Sequence, residues 1–276
     1  MTNDIRLLIV DIDGTLVGGD LEVRPRVREA IGKTRERGVH VALCTGRPSF
    51  GSRHYLTDLN LTGFHIFDAG ATISDPLAGK TLYRHGIERQ LAHEILDYAR
   101  KTNVYLEIYG DEGYFIERST ELSRMHADLQ RTTPAEGDLA AVIDRIAITK
   151  MEAVAGDDPE SARAQALLDH FSDRIDYGWA IVPGMSVRFV NLLAKGISKG
   201  DAVRRLIAHF GLDKAQTLGI GDGPNDEPLL RAVGVGVAMG NGVESLKRLA
   251  TWVAPSVDED GLAATIDRYV LNGKRP

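Results

Sequence analysis

Apolar residues recur along this chain in two rhythms, and their alternation predicts a parallel α/β fold. Ile5-Arg6-Leu7-Leu8-Ile9-Val10 is nearly continuous in apolar and β-branched residues, the pattern of a central strand buried on both faces. Asp13-Gly14-Thr15 breaks it. Val27, Ile31 and Thr34 then share one face of a predicted helix over about Pro25–Arg37, with Gly38 as its stop. Val39 to Cys44 is a second apolar strand, ending at Thr45-Gly46-Arg47. A helix from about Phe50 to Leu59 and a short strand, His65 to Phe67, continue the alternation.

The last third returns to the same rhythm. A helix over about Gly200–Phe210 precedes the strand Gln216 to Ile220, which runs into Gly221-Asp222. A helix near Glu227–Ala232 leads to the strand Gly234 to Ala238. A helix over about Val243–Ala250 leads to a short strand, Thr251 to Ala254.

The middle differs. Asn103 to Tyr109, then Gly110-Asp111-Glu112-Gly113, then Tyr114 to Glu117, predicts a hairpin. Arg145 to Val154 and Ser186 to Asn191 supply further strands, with helical patterns at Ile87–Lys101 and Glu160–Phe171. The expectation is a Rossmann-like parallel-sheet core over residues 1–83 and 186–276, with an inserted α+β cap over 84–185.

Composition narrows the class. The chain has 276 residues, 43% of them hydrophobic, enough for a sizeable core. Its 33 basic and 39 acidic residues give a net charge of -6, which argues against a nucleic acid or an anionic membrane as partner. The single cysteine, Cys44, excludes an internal disulfide framework and a multi-cysteine metal site. No apolar run approaches the roughly 20 residues of a membrane span, and Ile5 to Val10 is too short for a signal-peptide core. These features together predict a cytoplasmic enzyme.

Four polar segments stand where the apolar runs stop. Asp11 follows the first strand, at the carboxyl end where open parallel sheets bind ligands, and its carboxylate could attack phosphorus. Asp13 lies two residues on, where the turn at Gly14 could bring it back as a proton donor. Thr45-Gly46-Arg47 ends the second strand and offers a hydroxyl and amides to a phosphate. Ser198-Lys199-Gly200-Asp201 opens a helix; Lys199 there is a cation suited to a nucleophile and a transferred phosphoryl group, and Lys195 is its nearest competitor. Gly221-Asp222-Gly223-Pro224-Asn225-Asp226 clusters acidic oxygens beside a phosphate site, a setting that suits magnesium. Each segment has a plainer explanation as a turn, cap or solvated charge. Their joint placement favours one phosphoryl-transfer device.

Taken in order, the four segments resemble those of the haloacid dehalogenase superfamily, and the large insert resembles that of its Cof-type sugar-phosphatase subgroup. Val237-Ala238-Met239-Gly240-Asn241-Gly242 and Asp260-Gly261-Leu262-Ala263 extend the likeness towards the C-terminus. The resemblance implies Asp11 as nucleophile and Asp13 as acid and base. It implies magnesium held by the Asp11 side chain, the Asp13 backbone carbonyl and Asp222, with Asp226 supporting the metal or the lysine. Thr45, Gly46, Arg47, Lys199 and Asn225 then bind the phosphoryl group, and the insert closes over the substrate as a cap. Asp13 favours a phosphatase over a dehalogenase. One departure is Ala69-Gly70-Ala71, where Cof-type proteins usually carry Asn-Gly-Ala.

The function expected is magnesium-dependent hydrolysis of a small phosphorylated metabolite, a sugar phosphate by analogy. The alternatives are a phosphosugar mutase and a non-catalytic phosphometabolite-binding module; the second predicts a damaged Asp11–Asp13 pair, and both residues are present. Gly234-Val235-Gly236 lacks the spacing of a dinucleotide fingerprint, and His54, His65 and His85 form no metal spacing. Arg53 and Arg188, like Arg47, are expected at the solvated surface when taken singly.

Overall fold

Strand β1 (Leu7–Val10) is fully buried along its length, as its unbroken apolar sequence requires. The computed structural model describes residues 4–111, 113–181 and 187–273. Along the chain, β1 is followed by α1 (Pro25–Glu36), β2 (His40–Leu43), α2 (Ser49–Asp58) and β3 (His65–Phe67). A tight turn at Asp68–Gly70 leads to the hairpin β4 (Thr72–Asp75) and β5 (Lys80–Arg84). Next come α3 (Arg89–Thr102), β6 (Leu106–Gly110), β7 (Gly113–Ile116), α4 (Glu121–Gln130), β8 (Ala135–Glu136), α5 (Leu139–Arg145) and β9 (Ile148–Ala155). Then α6 (Asp158–Phe171), β10 (Ile175–Ile181) and β11 (Arg188–Ala194) complete the middle. The chain continues with α7 (Lys199–His209), β12 (Thr217–Gly221), α8 (Glu227–Ala232), β13 (Val235–Ala238), α9 (Glu244–Leu249), β14 (Trp252–Val253) and α10 (Gly261–Ile266).

Three sheets divide this list, the smallest being the antiparallel β3-β4-β5. A five-stranded parallel sheet has the order β14-β13-β12-β1-β2, so β1 is central between β12 and β2. A six-stranded sheet has the order β10-β11-β9-β6-β7-β8 and is mostly antiparallel. The fold is therefore α/β with a parallel-sheet core and an added sheet-and-helix cap. Each face of the parallel sheet packs its own apolar cluster, one around Leu8, Val10 and Ile220, the other around Leu7, Ile9 and Leu206. Every such side chain removed from water contributes about 1.5–3 kcal/mol.

The expected boundary needs a correction. Arg188–Ala194 pairs with β9 and β10, not with the parallel sheet, so this strand belongs to the cap. Its apolar sequence reads as core because it is buried in a second core. The expected junction at 185/186 itself falls outside the described residues. We propose 85–195 as the cap.

The turn after β3 braces two of the four segments. The Asp68 and Ala69 amides donate to the Arg47 and Thr45 carbonyls, both at 3.0 Å. A Cβ on Gly70 would lie 2.3 Å from the Ser198 carbonyl oxygen, so only glycine lets this turn rest on the start of α7. Ala69 has φ +54° and ψ +24°, the left-handed region that an L side chain resists at a cost of about 1–2 kcal/mol. Ala69→Gly is expected to raise stability by about 0.5 kcal/mol, the strain relief less the added freedom of the unfolded chain. Urea unfolding with an unchanged m-value checks this; a loss of stability contradicts it.

Candidate active site

The sheet order brings Asp11, Thr45 and Asp222 to one rim, because β1, β2 and β12 are neighbours and run parallel. Asp11 follows the last residue of β1, Asp222 follows β12, and Thr45 lies two residues beyond β2. Lys199 opens α7, whose N-cap Ser198 accepts a hydrogen bond from the Asp201 amide. Its ammonium donates to Asp11 Oδ1 and to Asp226 Oδ1, each at 2.6 Å. Burial disfavours this ammonium, but Asp11 and Asp226 outweigh it and hold its pKa above the ordinary lysine value. Lys195, the competitor, is half exposed and pairs with Asp176 away from the rim.

Asp11, Asp222 and Asp226 each offer an oxygen, all within 4.8 Å of one another. Asp226 Oδ2 accepts from the Asp222 and Gly223 amides at 3.0 Å, which folds the loop back on itself. Asp222 Oδ1 accepts from the Thr15 hydroxyl at 3.3 Å, and a Cβ on Gly14 would lie 2.1 Å from Asp222 Oδ2. Gly14, at φ +82°, thus lets Asp222 reach the first loop. Burial, reinforced by Asp226, pushes the Asp11 carboxyl up to about 7. Burial and then the charges of Asp11 and Asp226 push Asp222 well above its ordinary value.

Asp13 faces away from this cluster into the fork of Arg47. Arg47 Nε donates to Asp13 Oδ2 at 2.8 Å and Nη2 to Asp13 Oδ1 at 2.5 Å. Arg47 is only 3% exposed, which corrects the surface placement expected for it. A bidentate ion pair removes the need for solvent. Arg53 and Arg188 are exposed as expected, Arg188 on Asp158. The Thr45 hydroxyl accepts from the Arg47 amide at 3.0 Å. Asn225 is half-buried and lines a cavity shared by Asp11, Asp13, Gly46, Arg47 and Asp222. Cys44 is buried beneath the rim and its thiol is pushed up by burial, so it stays an inert apolar group.

The cap side of that cavity was not foreseen from the sequence. Register places Glu107, Glu152 and Asn191 opposite one another on β6, β9 and β11. Lys150, two residues before Glu152, is 1% exposed and pairs with Glu152. It also donates to Asn191 Oδ1 at 2.6 Å and to the Gly46 carbonyl at 2.9 Å, and so ties the cap to the loop after β2. Arg47 Nη1 makes a second tie, to the Leu129 carbonyl of α4 at 2.8 Å. Lys150 and Glu152 carried one available signal, a charge pair at i and i+2 inside an apolar strand.

The four carboxylates Asp11, Asp13, Asp222 and Asp226 face two cations, Lys199 and Arg47. The surplus of two negative charges and the all-oxygen donor set fit a hard divalent cation. The Asp222 carboxylate holds only long hydrogen bonds, from Thr15 at 3.3 Å and Asn241 at 3.5 Å, and Asp11 is bonded through Oδ1, whereas Asp226 is engaged at both oxygens by closer donors. Among the described residues, no helix is long and apolar enough to cross a membrane.

With this geometry in hand, the chain proves to match the family of haloacid dehalogenase-like hydrolases over residues 8–266, and it belongs to that family. It is 30% identical over 272 residues to a phosphatase of Streptococcus pyogenes serotype M6, covering 97% of this chain and 99% of that one. It is also 30% identical over 255 residues to the HMP-PP phosphatase of Serratia proteamaculans, covering 88% and 87%. A sugar phosphatase of haloacid dehalogenase subclass IIB superposes with a TM-score of 0.83 at 23% identity, covering 96% of this chain and 98% of that one. Within its family the chain is accordingly an enzyme of the phosphatase branch.

Proposed function

We propose that the protein hydrolyses a small phosphorylated metabolite with the help of a magnesium ion. The observation that carries this reading is the ammonium of Lys199 bridging Asp11 and Asp226 at 2.6 Å, in the same acidic cluster as Asp222. An anion-binding cation, a nucleophile and a divalent site there surround one position for a phosphorus atom.

Asp11 attacks phosphorus and forms a phosphoaspartyl ester as the bond to the leaving oxygen breaks. Asp13, protonated from solvent once Arg47 releases it, gives that oxygen a proton. Asp13 then takes a proton from water, whose oxygen attacks the ester, freeing Asp11 and orthophosphate. Thr45, Gly46, Lys199 and Asn225 hold the phosphoryl oxygens. Arg47 now closes its fork on Asp13. A phosphoryl dianion beside Asp11 competes for that fork and releases Asp13 to act. Asp11, Asp222 and the Asp13 carbonyl, with Asp226 in support, would hold the magnesium ion, which would supply charge neutralisation there. That the subclass IIB structure is called a sugar phosphatase supports a sugar phosphate as substrate here.

Phosphate release from a small aryl phosphate tests this. Chelation is expected to lower the rate by about 100-fold or more, and added Mg2+ to restore it. A mutase would instead convert a sugar phosphate to its isomer with little free phosphate, and a binding module would turn over neither.

A further inference from the structure

The wall of the cavity facing Asp11 and Asp13 is built by the cap, and its charges cancel in pairs. Lys150 pairs with Glu152, and His126 Nδ1 lies 2.8 Å from Glu107. Burial opposes charge on both members of the second pair, yet their contact lowers the Glu107 pKa and raises that of His126. His126 Nε2 meets the Gln130 amide at 3.0 Å, where Gln130 Oε1 has no partner. Whichever way that amide points, both ring nitrogens of His126 are committed. Lys150 spends its protons on Glu152, Asn191 Oδ1 and the Gly46 carbonyl, and its ammonium sits 4.3 Å from the Tyr109 ring centroid.

These commitments leave two polar groups unsatisfied at the cavity. The lysine takes one Glu152 oxygen and the Asn191 carbonyl oxygen, so it fixes which way each side chain points. Glu152 Oε1, 3.9 Å from His126 Nε2, and Asn191 Nδ2 carry no protein hydrogen bond among the described residues. Both residues line the cavity with Asp11 and Asp13, and both are nearly inaccessible from bulk water, at 3% and 2% exposure. Residues 182–186 contain no charged side chain in the sequence.

We propose that Glu152 and Asn191 select the leaving group: an uncharged, hydroxyl-bearing one, with a donor for Glu152 and an acceptor for Asn191, and not one that carries a second anionic group. This rests on the phosphatase reading above and specifies its substrate class. The Glu152 oxygen that Lys150 leaves over accepts from a hydroxyl but offers nothing to a second anion, and among the described residues the cap wall of the cavity holds no uncommitted cation for one. The inference separates this chain from the diphosphate in the name of its Serratia relative.

A matched pair of substrates tests it with the intact enzyme and Mg2+. Glycerol 3-phosphate and 3-phosphoglycerate differ at the far carbon, a hydroxymethyl against a carboxylate. The parent enzyme is expected to prefer the first in kcat/KM by at least about 100-fold, and Glu152→Gln to narrow that ratio about tenfold. Equal use of the pair by the parent overturns the proposal. So does an unchanged ratio in a Glu152→Gln protein whose thermal unfolding shows it folded. If the variant does not fold, the parent's ratio still decides. Absence of turnover even on a small aryl phosphate, which has no such groups, defeats the phosphatase reading itself and this inference with it.

Discussion

Asp11→Asn is expected to lower kcat on any phosphate monoester by about 10^4-fold or more, while leaving the protein folded. The amide keeps the carboxylate's shape and still offers an oxygen to Lys199, now 2.6 Å from Asp11 Oδ1. It cannot form the phosphoaspartyl ester, because a neutral amide oxygen is a poor nucleophile. Stability gives an independent reading of the same site. Without metal, the Asp11 carboxyl titrates near 7 because burial and the neighbouring Asp226 disfavour its charge. Its folded pKa exceeds the ordinary value of 3.8, so the folded state binds more protons between those limits. The stability this group contributes is present at low pH and is lost as pH rises through about 7. Chelated wild-type protein is therefore expected to lose stability between pH 5 and pH 7, inside the window from 3.8 to about 7, with little further loss from this group above it. Asp11→Asn removes that term and flattens the slope, with the remainder due to Asp222, whose pKa is raised for the same reason. Phosphate release and thermal unfolding at the two pH values are the measurements. Turnover within tenfold of the parent would defeat the assignment of Asp11.

The rim of the parallel sheet was legible in the sequence because of how such strands are buried. A strand covered on both faces is apolar at every position, so its first polar residue marks where it meets the ligand crevice. Asp11 after Leu7–Val10 and Asp222 after Thr217–Gly221 stand at those points. Lys199 was legible because a helix start was predicted there. The cap was read less well. Just before it, Lys80–Arg84 lies largely exposed, so no burial pattern marks it as a strand. Helix α4 hides because its buried face carries Ser123, His126 and Gln130 beside Leu129. Those polar residues are buried by partners on distant strands, Glu107 among them, and no local spacing encodes a partner 19 residues away. Arg47 is the same case: its burial depends on Asp13 and on a carbonyl of the cap. Strand β11 was recognised among the strands of the middle but left outside the expected cap bounds, since periodicity reports burial and not which core provides it.

Lys199→Met should damage the protein most broadly, in fold as well as in rate. Three buried carboxylates, Asp11, Asp222 and Asp226, share this one ammonium as their nearest cation in the cluster. Methionine matches the stem of the side chain but leaves Asp11 and Asp226 facing each other unpaired. Removing one partner of a buried ion pair costs about 3–5 kcal/mol, because the other charge stays desolvated. Urea unfolding in chelator at pH 7.5 measures this. The rate should fall by about 10^2- to 10^3-fold even with saturating metal, since a transition-state contact to the phosphoryl group is gone. A second readout separates these effects from plain misfolding. The variant's cluster is one charge more negative, so added Mg2+ should raise its melting temperature more than it raises that of the parent. Stabilisation by a ligand of the folded state grows with its occupancy, reaching about 2.7 kcal/mol at 100 times Kd. A variant that loses less than about 1 kcal/mol, or gains no more from Mg2+ than the parent, would mean that the ammonium does not hold these carboxylates together in solution.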